Sequence, residues 1–119
     1  MITTAGKNLV RNMIIGTNPG SITRIEIGTD NTAPVVGDTA LIGTTYGAAA
    51  TETEPSSVSV MFQISLGTGD GNGAGTRIYQ EVGLLTGTSG TLLSRQVFKA
   101  KTKNNTIAFK VQPIVEVTS

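Results

Sequence analysis

The residues that could do chemistry are few, and almost none is a nucleophile. The run Gly67-Thr-Gly-Asp-Gly-Asn-Gly-Ala-Gly75 comes first. Its glycine count invites a phosphate-cradling reading, but a P-loop needs Gly-Lys-Ser/Thr opening a helix, and here no lysine appears and strand-forming residues follow. Asp70 and Asn72 match the start of a calcium loop, yet the later acidic ligands and the closing Glu are missing. The run is expected to be a long flexible surface connection. Glu52 and Glu54 are the only close carboxylate pair. A glycosidase needs its two carboxylates roughly 5–9.5 Å apart in a shaped cleft, and a Thr-rich loop offers none. Glu81 sits mid-strand, either solvated, paired across strands, or touching another subunit. Lys99, Lys101 and Lys103 alternate and therefore line one strand face, which reads as a solvated face that discourages edge-to-edge pairing. Tyr46 and Tyr79, with no Trp in the chain, make a thin platform for a sugar.

The totals exclude more chemistry than they suggest. The 119 residues contain no Cys and no His. That removes disulfides, thiolate nucleophiles, most zinc sites and His-based triads. No cofactor and no metal is expected, and no enzyme activity. A formal charge of +1 gives no general attraction to nucleic acid, and the lysine face lacks interleaved aromatics. No run approaches the roughly 18 apolar residues of a membrane span. The chain opens without a basic-then-apolar signal pattern, so export by a signal peptide is not expected.

The elements that must position these residues are short strands. Glycines and β-branched runs dominate, and charged residues are only 14%, which predicts one all-β domain over 1–119. Residues 1–6 read as a lead. Lys7–Ile15 places Leu9, Val10, Met13 and Ile14 at helical spacing, with Gly16 as a stop. So short a helix must dock, either on its own sheet or on a neighbouring subunit. Asn18-Pro19-Gly20 reads as a turn, and Ile22–Gly28 alternates as a half-buried strand. Val35–Ile42 is either a single helical turn or an apolar plug. Residues 43–57 have little to bury apart from Tyr46, and read as a mobile loop or a loosely held edge strand. Ser57–Leu66 is the cleanest strand, with Val58, Val60, Phe62, Ile64 and Leu66 on one face, and is expected to be the best buried.

Arg77–Leu85 puts Ile78, Val82 and Leu84 on one face and Tyr79 and Glu81 on the other. A turn is expected at Thr86–Gly90. Leu92–Lys103 mixes parities, which a bulge near Arg95-Gln96 would reconcile. Thr106–Val117 closes the domain, and Pro113 marks that strand as an edge or a bulge. The expected architecture is an antiparallel β-sandwich or meander sheet with one short N-terminal helix.

Several of these runs, in this order, resemble a family of small tailed-bacteriophage virion domains found in tail fibres, collar fibres and baseplate-associated proteins. The residues are Gly6-Lys-Asn-Leu-Val-Arg11, Ile27-Gly-Thr29, Thr32-Ala-Pro34, Gly37-Asp-Thr-Ala-Leu41 and Asn72-Gly73. Glu81-Val-Gly-Leu-Leu85, Gly90-Thr-Leu-Leu-Ser-Arg95, Phe98 and Lys101-Thr-Lys103 complete the set, which covers nearly the whole chain. The resemblance implies a virion structural protein, assembled in the host cytoplasm, acting as a tail, collar or baseplate adaptor that anchors other virion proteins. A head decoration protein and a host-glycan-binding module are the alternatives. A homo-oligomer, a trimer or a ring, is expected from the chain's own features, since the short helix in residues 1–16, the segment 43–57 and the glycine-rich run 67–75 would stay mobile in a lone chain. No nucleic acid partner is expected. The residues expected to face neighbouring chains are Leu9, Arg11, Met13, Tyr46, Asp70, Asn72, Glu81 and Arg95.

Overall fold

The computed structural model describes residues 1–17, 20–87 and 90–117. The expected turns at Asn18-Pro19-Gly20 and Thr86–Gly90 lie partly outside them. One helix, α1 (Thr4–Ile14), precedes eight strands: β1 (Ile22–Gly28), β2 (Thr45–Ala49), β3 (Thr51–Ser56), β4 (Ser59–Leu66), β5 (Thr76–Thr86), β6 (Leu92–Asn104), β7 (Phe109–Val111) and β8 (Ile114–Glu116). They form two antiparallel sheets. The first has the order β2-β1-β5-β6; the second has β3-β4-β7, with β8 also on β4. This is a β-sandwich with one short helix, and not a simple meander, because β3 and β4 leave the first sheet before β5 returns to it.

The segment 43–57, expected to be a mobile loop or a loose edge strand, makes that crossing. It pairs with β1 as β2, passes Ala50, and pairs with β4 as β3. Backbone pairing holds it, so it needs few apolar side chains of its own. Strands β7 and β8 meet β4 in one continuous register, from Leu66↔Phe109 to Ser59↔Glu116, interrupted at Gln112-Pro113. Proline has no N–H to give a ladder, and Pro113 instead accepts from the Phe62 amide through its carbonyl, at 3.0 Å.

The core lies between the sheets. Ile25 and Ile27 of β1, Tyr79 and Leu84 of β5, and Phe62, Ile64 and Leu66 of β4 form it, with Leu9 and Leu93 at one end. Tyr79 belongs to this inner face because the ladder between β5 and β6 slips between Tyr79 and Glu81. The slip reverses parity, so the strict alternation that placed Tyr79 beside Glu81 fails. The irregularities of β6 fall opposite Leu84–Leu85 and around Phe98–Ala100 rather than at Arg95-Gln96. The best-buried strand is β5, with six of eleven residues buried against three of eight in β4. Central position explains this: β5 is flanked by β1 and β6 and covered on both faces.

Residues 1–6 are structural, contrary to their reading as a lead. Ile2 bridges to Ser94, and the Thr3 amide donates to the Leu93 carbonyl at 3.0 Å. Thr3 then caps α1, its hydroxyl accepting from the Gly6 amide at 2.9 Å while donating to the Leu92 carbonyl at 2.7 Å. Such a cap satisfies one of the helix's orphan amides. The helix docks on its own sheet through Gly6 and Leu9, the buried residues of α1. Val10, Met13, Ile14 and Ile15 stay exposed, so most of the expected apolar face is outward.

Gly6 lies so close to the Leu93 backbone that an added Cβ would overlap the Leu93 carbonyl. Backbone in a paired strand cannot swing aside as a side chain can. Gly6→Ala is therefore expected to cost about 1–3 kcal/mol through overpacking, despite the better helix propensity of Ala. Reversible urea unfolding checks this, and an Ala variant at least as stable as the parent refutes it.

Candidate functional site

The largest concentration of polar chemistry is on the outer face of the first sheet. In the register of β1, β5 and β6, Gly28 lies opposite Glu81, which lies opposite Val97, and Gly83 lies opposite Arg95. These side chains share the face that turns away from the second sheet. The segment 29–44 runs across it as a strap. Leu41 of the strap is buried over Gly83, where an added Cβ would come within 2.9 Å of both Leu41 and Leu92. Val35–Ile42 is thus a loop with a one-residue plug; Val35, Val36 and Ile42 are exposed.

Beneath the strap, Glu81 and Arg95 are both fully buried. Glu81 Oε1 accepts from Arg95 Nε at 3.0 Å and from the Ile42 amide at 2.9 Å. Its Oε2 accepts from the amides of Asp30 at 3.0 Å and Gly43 at 2.8 Å. A carboxylate has about four acceptor sites, and all four are used within the chain. Arg95 Nη1 donates to the Thr32 carbonyl at 2.9 Å and to Asp38 Oδ2 at 3.4 Å. Its Nη2 lies 3.7 Å from Asp30 Oδ1. Burial pushes the Glu81 carboxyl upward, but the amides of Ile42 and Gly43, the Arg95 guanidinium and the Asp30 amide outweigh it and hold the group below the usual glutamate range. Gly28 is required beside it, since a Cβ there would meet Glu81 Oε2 at 2.6 Å.

A second polar node holds the glycine-rich run. Tyr79 donates its hydroxyl to the Gly71 carbonyl at 2.6 Å. Fully buried Lys103 donates to Asn72 Oδ1 at 2.7 Å, the Asn104 carbonyl at 3.1 Å and the Thr68 carbonyl at 3.4 Å. Asn72 in turn donates to the Thr68 carbonyl, and Asp70 accepts from the Gly67 amide. Gly71, Gly73 and Gly75 have φ of 69°, 59° and 147°. Those left-handed values explain the glycines better than flexibility does. The run is a tied loop, and Lys103 is an anchor rather than part of a solvated lysine face.

The residues expected to face other chains therefore divide. Glu81 and Arg95 are corrected: both are enclosed by the strap and used up inside the chain. Leu9 is also corrected, being buried against the first sheet. Asn72 is half-buried on Lys103. Tyr46 is half-buried beside the core, opposite Ile27, with its hydroxyl's pKa raised by burial and then by the charge of Asp70. Arg11, Met13 and Asp70 remain exposed. Sequence reasoning missed Asp30, Asp38, Lys103 and Thr3. A signal for the first node existed in Gly28 and Gly83, which flank a carboxylate with backbone space.

Among the described residues, no group of three or more acidic side chains is placed to hold a metal ion, and no helix is long and apolar enough to cross a membrane. The polar chemistry thus defines a self-tied β-sandwich, in which the buried charges fasten a strap and a loop. No protein-family model, curated protein or solved structure matches the chain.

Proposed function

We propose that this chain is a non-enzymatic structural protein of a tailed-bacteriophage virion, acting in the tail, collar or baseplate as an adaptor that anchors other virion proteins. It works there as a homo-oligomer, a trimer or a ring, without nucleic acid. One observation carries the reading. The motifs on which the family resemblance rests meet in a single device. Gly28, Thr32, Asp38, Leu41, Glu81, Gly83 and Arg95 belong to five separate runs of the sequence, and all build the strap over the first sheet. Residues that depend on one another in this way support a shared architecture more strongly than the same number of independent matches.

The rest of the surface suits assembly. The buried carboxylate of Glu81, with every acceptor site taken, has no capacity left for a substrate. Outward, the chain displays large apolar side chains: Ile14 at the end of α1 with Ile15 after it, and Val35, Val36 and Ile42 of the strap. Where such groups gather into one patch, they serve contacts with other proteins. The reading is tested by purifying intact particles, separating heads from tails, and assaying each fraction for the chain by mass spectrometry. Recovery in the tail fraction at a fixed stoichiometry is expected. Recovery with heads alone would replace the reading by head decoration, and absence from particles would overturn it.

A further inference from the structure

The two sheets have outer strands β2 and β6 in the first and β3 and β7–β8 in the second, and the edges of β3 and β6 carry paired charges of opposite sign. Among the described residues, β3 pairs only with β4, and all six residues of β3 are exposed. Glu52 and Glu54 are two apart, so their carboxylates fall on one face of that edge. The oppositely charged edge belongs to β6. Residues 1–3 cover it only near Leu93–Arg95, and Lys99 and Lys101 beyond them are exposed. An apolar cleft of about 600 Å³ opens between β6 and β7; Phe98, Phe109 and Val111 line it, and so do Lys101 and Lys110.

An unpaired edge is a template for another strand. Here charge limits the choice. Two β3 edges would set glutamate against glutamate, and two β6 edges lysine against lysine. Like charges across a strand pair destabilise it, and opposite charges favour it. Of the pairings between these two charged edges that leaves β3 with β6; β2 carries no charge to oppose either, and β7 and β8 carry one lysine and one glutamate. We propose that β3 of one copy pairs along the β6 edge of the next, with Glu52 and Glu54 set against Lys99 and Lys101 and the strand laid beside the mouth of the apolar cleft. The contact joins two different surfaces of the same chain. It is therefore heterologous and propagates head to tail, closing into a ring if the rotation permits and extending as a filament otherwise. The backbone irregularity at Phe98–Ala100 keeps the shared ladder short, which leaves the charges to choose the partner. This inference rests on the homo-oligomeric reading above and assigns its surface.

The test is sedimentation velocity of the full chain over a concentration series, at low and at high salt. The parent is expected to self-associate, less so at high salt. The pair Glu52→Lys with Glu54→Lys, and separately Lys99→Glu with Lys101→Glu, should each weaken association about tenfold. Mixing the two variants should restore it, because each then meets a complementary edge, and so should placing all four changes in one chain. Circular dichroism and thermal melting confirm that each variant is folded. A parent that stays monomeric at its highest soluble concentration overturns the proposal. So does self-association that neither reversal weakens or mixing does not restore; in that case the virion reading stands and another surface serves it. Edge-dependent association by a chain absent from particles would have the opposite meaning.

Discussion

Replacing Arg95 with Leu is expected to cost roughly 3–5 kcal/mol of folding stability, because it leaves a carboxylate buried without its cation. Glu81 would keep the amides of Asp30, Ile42 and Gly43 but lose the charge-assisted bond at 3.0 Å. The Thr32 carbonyl and Asp38 would lose their donor as well. Guanidinium denaturation with a reversibility check measures the loss, and a change below about 1 kcal/mol would refute the strap assignment. Adding Glu81→Gln to Arg95→Leu should recover part of the loss, since the uncompensated charge is gone. The same pair fixes the behaviour in acid. The Glu81 carboxyl is held below its ordinary value, so its contribution is complete above about pH 4.3, the usual glutamate pKa, and disappears as pH falls through the lowered value of the folded state. Stability of the parent should therefore fall on acidification through this range. In the Arg95→Leu variant the fall attributable to Glu81 should be smaller.

The strands were legible where alternation was clean. Ile25 and Ile27 on β1 and Phe62, Ile64 and Leu66 on β4 occupy the core as their spacing requires. Legibility ended where the partner was backbone. Glu81 is held mainly by amides of residues far away in sequence, and any residue but proline carries an amide, so nothing in the sequence marks them. Lys103 is fastened largely to carbonyls for the same reason, and its alternation with Lys99 and Lys101 suggested a solvated face. Strands β2 and β3 were legible only as one of two readings, an edge strand or a mobile loop, because backbone pairing forms them and they bury little. Tyr79 was misplaced by a single slip in the ladder, which period-two reasoning cannot locate in advance. Residues 1–16, 43–57 and 67–75, expected to be mobile in a lone chain, have partners within it: the Leu93 backbone, strands β1 and β4, and Tyr79 with Lys103. What remains on the surface for other chains is strand edges, exposed apolar side chains and exposed charges such as Arg11 and Asp70, not Glu81 or Arg95.

Truncating Phe62 to Ala should cost about 3–5 kcal/mol, as a large side chain is removed from a core that cannot fully collapse around the gap. Phe62 is 5% exposed and packs in the cluster that joins both sheets. Its own backbone is fixed on two sides, by pairing with Glu52 of β3 and by its amide's bond to the Pro113 carbonyl. The strand therefore cannot shift inward to refill the space. Val58 supplies the contrast. It shares the parity of Phe62, yet β4 begins only at Ser59, and Val58 is 48% exposed in the preceding turn. Val58→Ala should change stability by no more than about 0.5 kcal/mol, like other surface substitutions. The two variants together test whether the buried face of this strand begins after Val58. Equal losses at the two positions in reversible urea unfolding would contradict it, as would a loss below about 1 kcal/mol for Phe62→Ala.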